Sequence, residues 1–286
     1  MCSNGFMTYI IHGATGAQGS PVLTALTSAG LDAVAAVRDI SKIDGAAIAI
    51  DNSSVDSLTD AYRGAKGVFV HLPLGHPEDQ LAFAHTIAEA IRRAKPARVV
   101  FSTSGFPLDP TGEGTGAVDV LARELASSGV SYAIVEPRLF LENLLLPVTM
   151  GPTRDEGALR YPIRPDYAVS WISHLDVADV VSRLLTDHSV TGIVSTGALP
   201  GLTGADLAAG FTRYLGQDVR FEAISPARYG ELIIPLFGET AVAPVIASYE
   251  QRQHQPGELI PEARSAQALL DLSPRSVERW LRDLGV

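Results

Sequence analysis

A glycine-rich segment near the start of the chain, GATGAQG at residues 13–19, constrains the fold more than any other part of the sequence. It follows an apolar run at 6–11 that predicts a buried strand, and it precedes helically spaced apolar residues at 21–28. Glycine adopts the backbone angles of such a turn, and without side chains the backbone can approach a pyrophosphate at the helix N-terminus. This context favours a dinucleotide-binding turn over a glycine turn without a ligand. The predicted contacts are Gly13, Thr15, Gly16, Ala17, Gln18 and Gly19.

The end of the second predicted strand indicates which dinucleotide binds. Residues 32–37 are apolar, and Arg38 follows them, with Lys42 four residues further on. At this position of a nucleotide-binding βαβ unit, an arginine accommodates the 2′-phosphate of NADP, whereas an acid binds the 2′-hydroxyl of NAD. Asp39 comes next and weakens the assignment, and a solvated basic loop residue is the alternative. We expect Arg38 and Lys42 to favour NADP(H).

The composition indicates one compact enzyme and argues against several other classes. Hydrophobic residues make up 46% of the 286 residues, enough for a sizeable core in one large domain or two lobes. A net charge of −10 argues against nucleic-acid binding, because phosphates need a basic face. The single cysteine excludes an internal disulfide, and the seven histidines lack a metal-binding spacing. Without a signal-peptide pattern or a membrane-spanning apolar run, we expect a cytoplasmic monomer or homodimer that acts on a small molecule.

Strands and helices alternate through the first part of the chain. Apolar runs predict strands at 46–50, 68–72, 98–102, 132–135 and 193–195. Ser53 or Ser57 is expected to cap the helix that ends at Arg63. Solid apolar strands that alternate with helices predict a parallel sheet covered on both faces, with ligands at the carboxyl ends of its strands. The candidates at those ends are His12, Arg38, Asp51, His71, residues 102–104 and residues 137–143.

The pattern changes in the second half of the chain. Prolines and glycines, among them Pro147 and Pro152, predict a loop-rich stretch ahead of a helix at 174–185. The tail at 226–284 is expected to be helical, with Ser273 and Pro274 opening the last helix. We therefore expect a second, smaller lobe that is mainly helical and binds the substrate.

Together these patterns predict an α/β fold with a doubly wound, mostly parallel sheet of the Rossmann type and a smaller C-terminal lobe. Residues 1–150 and 173–197 form the predicted nucleotide-binding domain. Residues 151–172 and 198–286 form the predicted substrate lobe, and ligand sites commonly lie where two lobes meet.

Six segments carry a resemblance to a known family. They are GATGAQG (13–19), VRDxSK (37–42), VFVHLP (68–73), VVFSTS (99–104), SGVSYAIVEPRLFLEN (128–143) and SHLDVADV (173–180). With these segments the chain resembles the NmrA-like atypical short-chain dehydrogenases over nearly its full length. The resemblance implies NADP(H) binding and, for many members, reduction of quinones, ketones or other flat unsaturated molecules; other members are regulators that bind the nucleotide without chemistry. Further cofactor contacts are expected at Asp51, His71, Leu72, Pro73, Ser102, Thr103, Pro137 and Leu139.

The chain departs from the family where proton transfer usually takes place. Ordinary short-chain dehydrogenases use a serine with a Tyr-x-x-x-Lys pair, but no tyrosine lies between Arg63 and Gly129. Some relatives place a lysine in the helix before the 128–143 segment, and the corresponding turn at 116–120 has none. Catalysis would then depend mainly on orientation of the reactants.

The remaining catalytic candidates are Ser104 and His71. Ser104 can donate a hydrogen bond to a developing oxyanion, although a turn serine is an equal alternative. His71 can relay a proton, although packing against the nucleotide is the favoured interpretation because no partner carboxylate is evident. The candidate substrate contacts are Ser104, Phe140, Asn143, Tyr161 and Trp171. For Glu142 and Asn143, the alternative is a structural cap on the following segment. For Tyr161 and Trp171, the alternative is an ordinary half-buried loop aromatic.

Two functional hypotheses follow. The first is an NADPH-dependent reductase of a hydrophobic ketone or quinone, such as an aromatic polyketide intermediate whose own phenol assists the reaction. The second is a non-catalytic NADP-binding regulator. The missing Tyr–Lys pair favours the regulator, whereas the aromatic residues of the second lobe favour the enzyme.

Overall fold

The computed structural model describes residues 8–73 and 75–286, in which strands and helices alternate. The strands are β1 (Tyr9–His12), β2 (Ala33–Val37), β3 (Ala47–Ala49), β4 (Gly67–His71), β5 (Val99–Ser102), β6 (Tyr132–Pro137), β7 (Ala158–Tyr161), β8 (Ala168–Val169), β9 (Gly192–Thr196), β10 (Arg220–Ala223) and β11 (Gly257–Glu258). The helices are α1 (Gly19–Ser28), α2 (Val55–Tyr62), α3 (Pro77–Ala94), α4 (Ala117–Ser127), α5 (Pro147–Glu156), α6 (His174–Thr186), α7 (Gly204–Leu215), α8 (Pro226–Phe237), α9 (Glu239–Arg252), α10 (Ala266–Leu270) and α11 (Val277–Leu284). Short 3-10 helices lie at Ile40–Lys42, Leu141–Leu145 and Glu262–Arg264.

Seven strands form one parallel sheet in the order β3-β2-β1-β4-β5-β6-β9. Tyr9 of β1 is aligned with Ala33 of β2 on one side and with Gly67 of β4 on the other. The chain thus builds outward from β1 to β3 and then restarts at β4 on the opposite side of β1. This reversal is the switch point of a doubly wound sheet, where ligands bind beyond the carboxyl ends of the strands. The predicted fold class is confirmed.

The sheet is buried because its strands are apolar along their whole length. Every residue of β1 and β5 is buried, as a sheet covered on both faces requires. On one face, α2, α3 and α4 supply Leu58, Ile87 and Leu121 to a continuous core that contains Val68 and Phe101 of the sheet. Helices α1 and α6 pack against each other. The apolar core fixes the strand ends, which carry most of the candidate site residues.

The chain divides into two compact units, and the division differs from the predicted one. The described residues up to Pro137 form the first unit together with 174–196 and 262–272; the second comprises 138–173, 197–261 and 273–286. The first unit ends before residue 150 because Phe140 bridges to Ile172 within the second unit. Part of the tail returns to the first unit because Ser265 forms a bridge with Ser195 of β9.

The second unit is mixed and not only helical. It holds two small parallel sheets, β7 with β10 and β8 with β11. Helix α5 packs on β7, α7 packs on β10 and α11, and α8 packs on α9. Thr203 caps α7 with a capping box to Asp206, and Gly216 ends that helix in the left-handed conformation, as its sequence suggests.

Several predicted element boundaries are wrong. Helix α1 begins at Gly19, two residues before the predicted start. The cap of α2 is Ser54, whose side chain accepts the backbone N–H of Ser57, so neither Ser53 nor Ser57 is the cap. Of the first predicted strand, residues 6 and 7 lie outside the described residues.

The stretch predicted as loop-rich contains helix α5. Pro147 stands in its first turn, where the missing N–H costs nothing, and Pro152 is tolerated inside it. Gly157 then ends the helix in the left-handed conformation. The last helix opens at Ser276, whose side chain accepts the backbone N–H of Arg279, and not at the predicted Ser273 and Pro274.

Arg98 holds the first unit together through backbone carbonyls. It is fully buried just before β5. Its guanidinium donates to Leu184 O at 2.9 Å, to Tyr132 O at 3.1 Å, to Val190 O and to the hydroxyl of Ser131 at 2.9 Å. The rigid fork of donors therefore satisfies loop and helix-end carbonyls that would otherwise be buried without partners.

We expect Arg98→Met to lower the free energy of unfolding by roughly 2–4 kcal/mol, because the buried carbonyls lose their donors. Urea unfolding of the purified variant measures this loss. Arg63→Met is the control, since Arg63 is exposed and pairs at 3.0 Å with the exposed Asp60. That control should change stability by less than about 1 kcal/mol. Equal effects of the two substitutions would contradict the structural role of Arg98.

Candidate functional site

The turn at residues 13–19 is built so that only glycine fits at two of its positions. Gly13 has a φ of +59°, and a Cβ there would lie 2.3 Å from Nε2 of His71. A Cβ on Gly19 would lie 2.3 Å from the carbonyl oxygen of Gly13 and 2.4 Å from that of His12. At Gly16 the corresponding distance to Gly13 O is 3.2 Å, and apart from the two chain neighbours no other atom of the described residues lies within 4 Å. Gly13 and Gly19 thus shape the turn, while Gly16 faces open space.

The turn presents backbone donors without acceptors. Gly16 donates to Gly13 O at 2.8 Å, and Ser20 donates to Gly16 O at 3.1 Å. Within residues 8–73 and 75–286, the N–H groups of Thr15, Ala17 and Gln18 donate to no acceptor. Thr15 and Ala17 are exposed. Free N–H groups ahead of a helix form a site for an anion such as a phosphate.

His71, at the end of β4, closes over this turn. Its ring lies against Gly13, and its buried Nε2 has no hydrogen-bond partner among the residues that the structure describes. Nδ1 lies 3.3 Å from Leu72 O, so the ring proton belongs on Nδ1 and Nε2 is left as an acceptor. Burial lowers the pKa of His71 and favours the neutral ring. Leu72 and Pro73 follow it at the strand end.

Two further histidines share this end of the sheet. His12 is buried at the end of β1, and its Nε2 lies 2.7 Å from the Tyr62 hydroxyl. Burial, and then the proximity of His71, lowers the pKa of His12 to about 3. The same two causes lower the pKa of His174, at the start of α6, to about 4. Tyr62 was not predicted as a partner of His12, because the two residues are 50 positions apart.

Gln18, Ser102 and Ser104 form a closed ring of hydrogen bonds. The Ser102 hydroxyl donates to Oε1 of Gln18 at 2.7 Å, and Nε2 of Gln18 donates to Oγ of Ser104 at 2.9 Å. The backbone N–H of Ser104 donates to the Ser102 hydroxyl at 3.2 Å. Ser104 has a φ of +58°, a conformation unusual for a residue with a side chain. The structure thus brings together three predicted site residues, with Gln18 and Ser102 bonded to each other.

The neighbouring strand end contributes Thr103 and Pro137. Thr103 N–H donates to Val135 O at 3.0 Å, which ties β5 to β6. Its hydroxyl is buried and has no partner within residues 8–73 and 75–286. Pro137 ends β6. Glu136, just before it, is buried and accepts from the Leu108 N–H at 3.1 Å and from the Ser195 hydroxyl at 3.0 Å. The carboxylate of Glu136 therefore anchors the loop after β5.

Arg38 and Lys42 lie exposed beyond the end of β2. The carboxylate of Asp39 accepts the Ser41 N–H at 3.1 Å and the Ser41 hydroxyl at 2.6 Å, and so caps the 3-10 helix Ile40–Lys42. These hydrogen bonds lower the pKa of Asp39. Arg38 makes no ion pair or side-chain hydrogen bond in the described part of the chain.

Asp51 forms a turn beyond β3. Its carboxylate accepts the Ser53 N–H at 2.9 Å and the Ser53 hydroxyl at 2.6 Å, which lowers its pKa. Its N–H donates to the Ser57 hydroxyl at 3.0 Å. The next residue, Asn52, has a buried Oδ1 that finds no partner in the described part of the chain, and no sequence pattern predicted this residue as part of a site. The cofactor role of Asp51 stays a prediction.

Five predicted contacts belong to the second unit: Leu139, Phe140, Asn143, Tyr161 and Trp171. Leu139 is buried, Phe140 bridges to Ile172, and Asn143 N–H donates to Phe140 O at 3.1 Å. Oε1 of Glu142 accepts from the Trp280 indole at 3.1 Å, a contact within the second unit that differs from the expected cap on the following segment.

Tyr161 and Trp171 are fully buried core residues of the second unit, not half-buried aromatics. Tyr161 lies in β7, its ring is 5.6 Å from that of Trp171, and its hydroxyl is hydrogen-bonded to that of Tyr249. Both side chains are buried, which raises the pKa of Tyr161 well above its ordinary range. Neither side chain presents surface to solvent, so their predicted substrate contacts stay predictions.

Other observations limit the chemistry of the described residues. They contain no group of three or more His, Cys, Asp or Glu side chains placed to hold a metal ion. None of their helices combines the length and apolar character needed to cross a bilayer. Phe106 lies two residues beyond Ser104 and is 55% exposed. No pattern in the sequence predicted it as a site residue.

The buried histidines predict acid sensitivity. The folded-state pKa of His12 is about 3, below its ordinary value of 6.5, so the unfolded chain takes up the proton first as the pH falls. The contribution of His12 to the free energy of unfolding is therefore complete above pH 6.5 and decreases towards pH 3. We expect His12→Gln to reduce the slope of the unfolding free energy against pH by up to about 1.4 kcal/mol per pH unit. Urea unfolding between about pH 7.5 and 5 measures this slope. His85→Gln, on the exposed side of α3, is the control; a slope unchanged in His12→Gln would refute the prediction.

Known proteins resemble this chain in sequence and in fold. The chain is 30% identical over 226 residues to the NAD(P)H azoreductase of Xenophilus azovorans, covering 76% of this chain and 77% of that protein. Its structure is similar to the NADPH-dependent quinone oxidoreductase of Escherichia coli in complex with NADPH, with a TM-score of 0.75, 17% identity, and coverage of 98% of this chain and 100% of that one. It is also similar to the triphenylmethane reductase of Citrobacter sp., with a TM-score of 0.79, 15% identity and the same coverage. The model of the NmrA-like family matches residues 7–281, and the chain therefore belongs to the NmrA-like family.

Proposed function

We propose that this protein is an NADPH-dependent reductase that delivers hydride to a flat, conjugated acceptor such as a quinone or an aromatic ketone. The observation that carries the proposal is the arrangement at the switch point of the sheet. A turn with free N–H groups follows β1, and a hydroxyl residue, Ser104, follows β5 and is tied to that turn through Gln18. One end of the sheet thus offers both an anion site and a donor for a developing oxyanion.

The residues of the first unit fit a dinucleotide. The N–H groups of Thr15, Ala17 and Gln18 suit a pyrophosphate, and the open space at Gly16 lets it approach the backbone. The unpartnered acceptor Nε2 of His71 suits a hydroxyl of the nucleotide. When bound, the nicotinamide supplies the hydride.

The cofactor preference follows from the capping role of Asp39. An acid at the end of the second strand favours NAD only if its carboxylate is available to the ribose. Here that carboxylate is engaged by Ser41, while Arg38 is exposed and free to pair with a phosphate. We therefore assign the 2′-phosphate of NADPH to Arg38, with Lys42 nearby.

The acceptor class rests on Phe106 and on the relatives. Azo compounds, quinones and triphenylmethane dyes, which appear in the names of the related proteins, are all flat or conjugated electron acceptors. The exposed ring of Phe106, in the loop after β5, offers an aromatic surface for such a molecule. Ser104 supplies a hydrogen bond to a carbonyl oxygen that gains negative charge.

The proton that completes the reduction comes from water or from a hydroxyl of the acceptor. His71 is neutral, and its one ring proton is directed to Leu72 O, so it is not the donor. Ser104 is too weak an acid to replace a tyrosine, and its contribution is that of a hydrogen bond. Orientation of the acceptor then provides most of the rate.

We expect Arg38→Ala to weaken NADPH binding by about tenfold to a hundredfold and to leave NADH binding nearly unchanged, because one charge-assisted phosphate contact is lost. Calorimetric titration with each nucleotide measures both dissociation constants. Arg63→Ala, elsewhere on the surface of the first unit, is the matched control and should bind both nucleotides like the wild type. Equal NADPH and NADH affinities in the wild-type protein would refute the assignment.

Turnover tests the activity itself. The purified protein should consume NADPH in the presence of a naphthoquinone, a polycyclic aromatic ketone or an azo dye, and the rate should saturate with the acceptor. The loss of NADPH absorbance measures the rate, and the enzyme-free reaction is the control. Tight NADPH binding without consumption across the whole panel would contradict the reductase and favour the regulator.

A further inference from the structure

We propose that Gln18 is a positioning residue that fixes the Ser104 hydroxyl as a hydrogen-bond donor to the carbonyl oxygen of the acceptor. The inference rests on the proposed function, because it assigns the donor in that reaction. It also gives Gln18 a role different from the predicted one. Its side chain serves the acceptor site, while its backbone N–H remains available to the nucleotide.

The structure gives each hydrogen bond in the ring a direction. A backbone N–H can only donate, so Oγ of Ser102 accepts from Ser104 N. The Ser102 hydroxyl donates its own proton to Oε1 of Gln18. The amide group of Gln18 is thereby oriented, and its Nε2 donates to Oγ of Ser104.

This polarity leaves the proton of Ser104 available. Its Oγ accepts from Gln18, and among residues 8–73 and 75–286 its own O–H finds no acceptor. A hydroxyl that accepts a hydrogen bond also becomes a better donor, because neighbouring bonds polarise one another. The ring thus prepares Ser104 to donate to a ligand.

The backbone conformation of Ser104 supports a functional role for the ring of hydrogen bonds. Its φ of +58° costs free energy in a residue with a Cβ, and such conformations persist where the surroundings hold them. The bond from Ser104 N–H to the buried Ser102 fixes the backbone, and Gln18 fixes the side chain. Both anchors stand on rigid parts of the fold, the end of β5 and the residue before α1.

Gln18→Glu tests the polarity of the ring with almost no change of shape. A carboxylate can only accept, so it draws the Ser104 proton towards itself and removes it from the acceptor. We expect kcat at saturating NADPH to fall about threefold to twelvefold, the effect of one lost neutral hydrogen bond, which is also the effect expected for Ser104→Ala. In the Ser104→Ala background, Gln18→Glu should lower kcat no further.

Controls separate this effect from added charge and from lost structure. Gln251→Glu adds the same charge at an exposed position of α9 and should leave kcat unchanged. NADPH dissociation constants, measured by fluorescence quenching, show whether each variant still binds the nucleotide. Urea unfolding of Gln18→Met, Ser104→Ala and the double variant should give non-additive stability losses, because the two side chains share one bond.

The outcomes distinguish the two proposals. A wild-type protein that binds NADPH but reduces no acceptor would overturn the reductase and, with it, the donor role of Ser104. Turnover by the wild type with an unchanged kcat in Gln18→Glu would overturn only the role of Gln18. An equal loss of kcat from Gln18→Glu with and without Ser104 would assign the effect to charge and would also overturn it.

Discussion

The absence of side chains at Gly13 and Gly19 is the constraint on which the site depends. Any Cβ at Gly19 would meet the carbonyl oxygens of Gly13 and His12, and any Cβ at Gly13 would meet the ring of His71. These contacts let α1 begin immediately beyond β1 and let the end of β4 close over the turn. Because β1 and β4 are neighbours at the switch point of the sheet, the same close approach creates the crevice and the free N–H groups that line it.

The turn also connects two parts of the site whose residues are distant in sequence. Its backbone faces the proposed pyrophosphate, whereas the side chain of Gln18 reaches Ser104, which lies 86 positions away. The buried polar groups around it are arranged to keep the site neutral, since burial lowers the pKa of His12, His71 and His174. Such a site orients and polarises a reactant, which agrees with the missing Tyr–Lys pair.

The sequence predicted those features that local patterns determine. Apolar runs and the glycine spacing predicted the parallel sheet, its seven strands and the position of a glycine-rich turn between β1 and α1, and the family resemblance was confirmed. Helix α5 was missed because Pro147 and Pro152 were interpreted as breaks, although one occupies a first turn and the other is accommodated within the helix. The ring around Gln18, the His12–Tyr62 bond and the burial of Tyr161 depend on residues that only the folded chain brings together. No local pattern in the sequence encodes these pairings.

The return of residues 262–272 to the first unit has a consequence for biosynthesis. Strands β1–β6 are synthesised before residue 138, but Ser195 of β9 obtains its bridge to Ser265 only after residue 265 has been synthesised. At ordinary elongation rates of about 5–20 residues per second, synthesis from Pro137 to Leu272 takes roughly 7–27 s, and the first unit waits that long for its last segment. During that interval all of 138–173 and 197–261 has also been synthesised, so the two units mature together and not one after the other. Because the first unit is discontinuous in sequence, its folding is linked to the synthesis of the second unit.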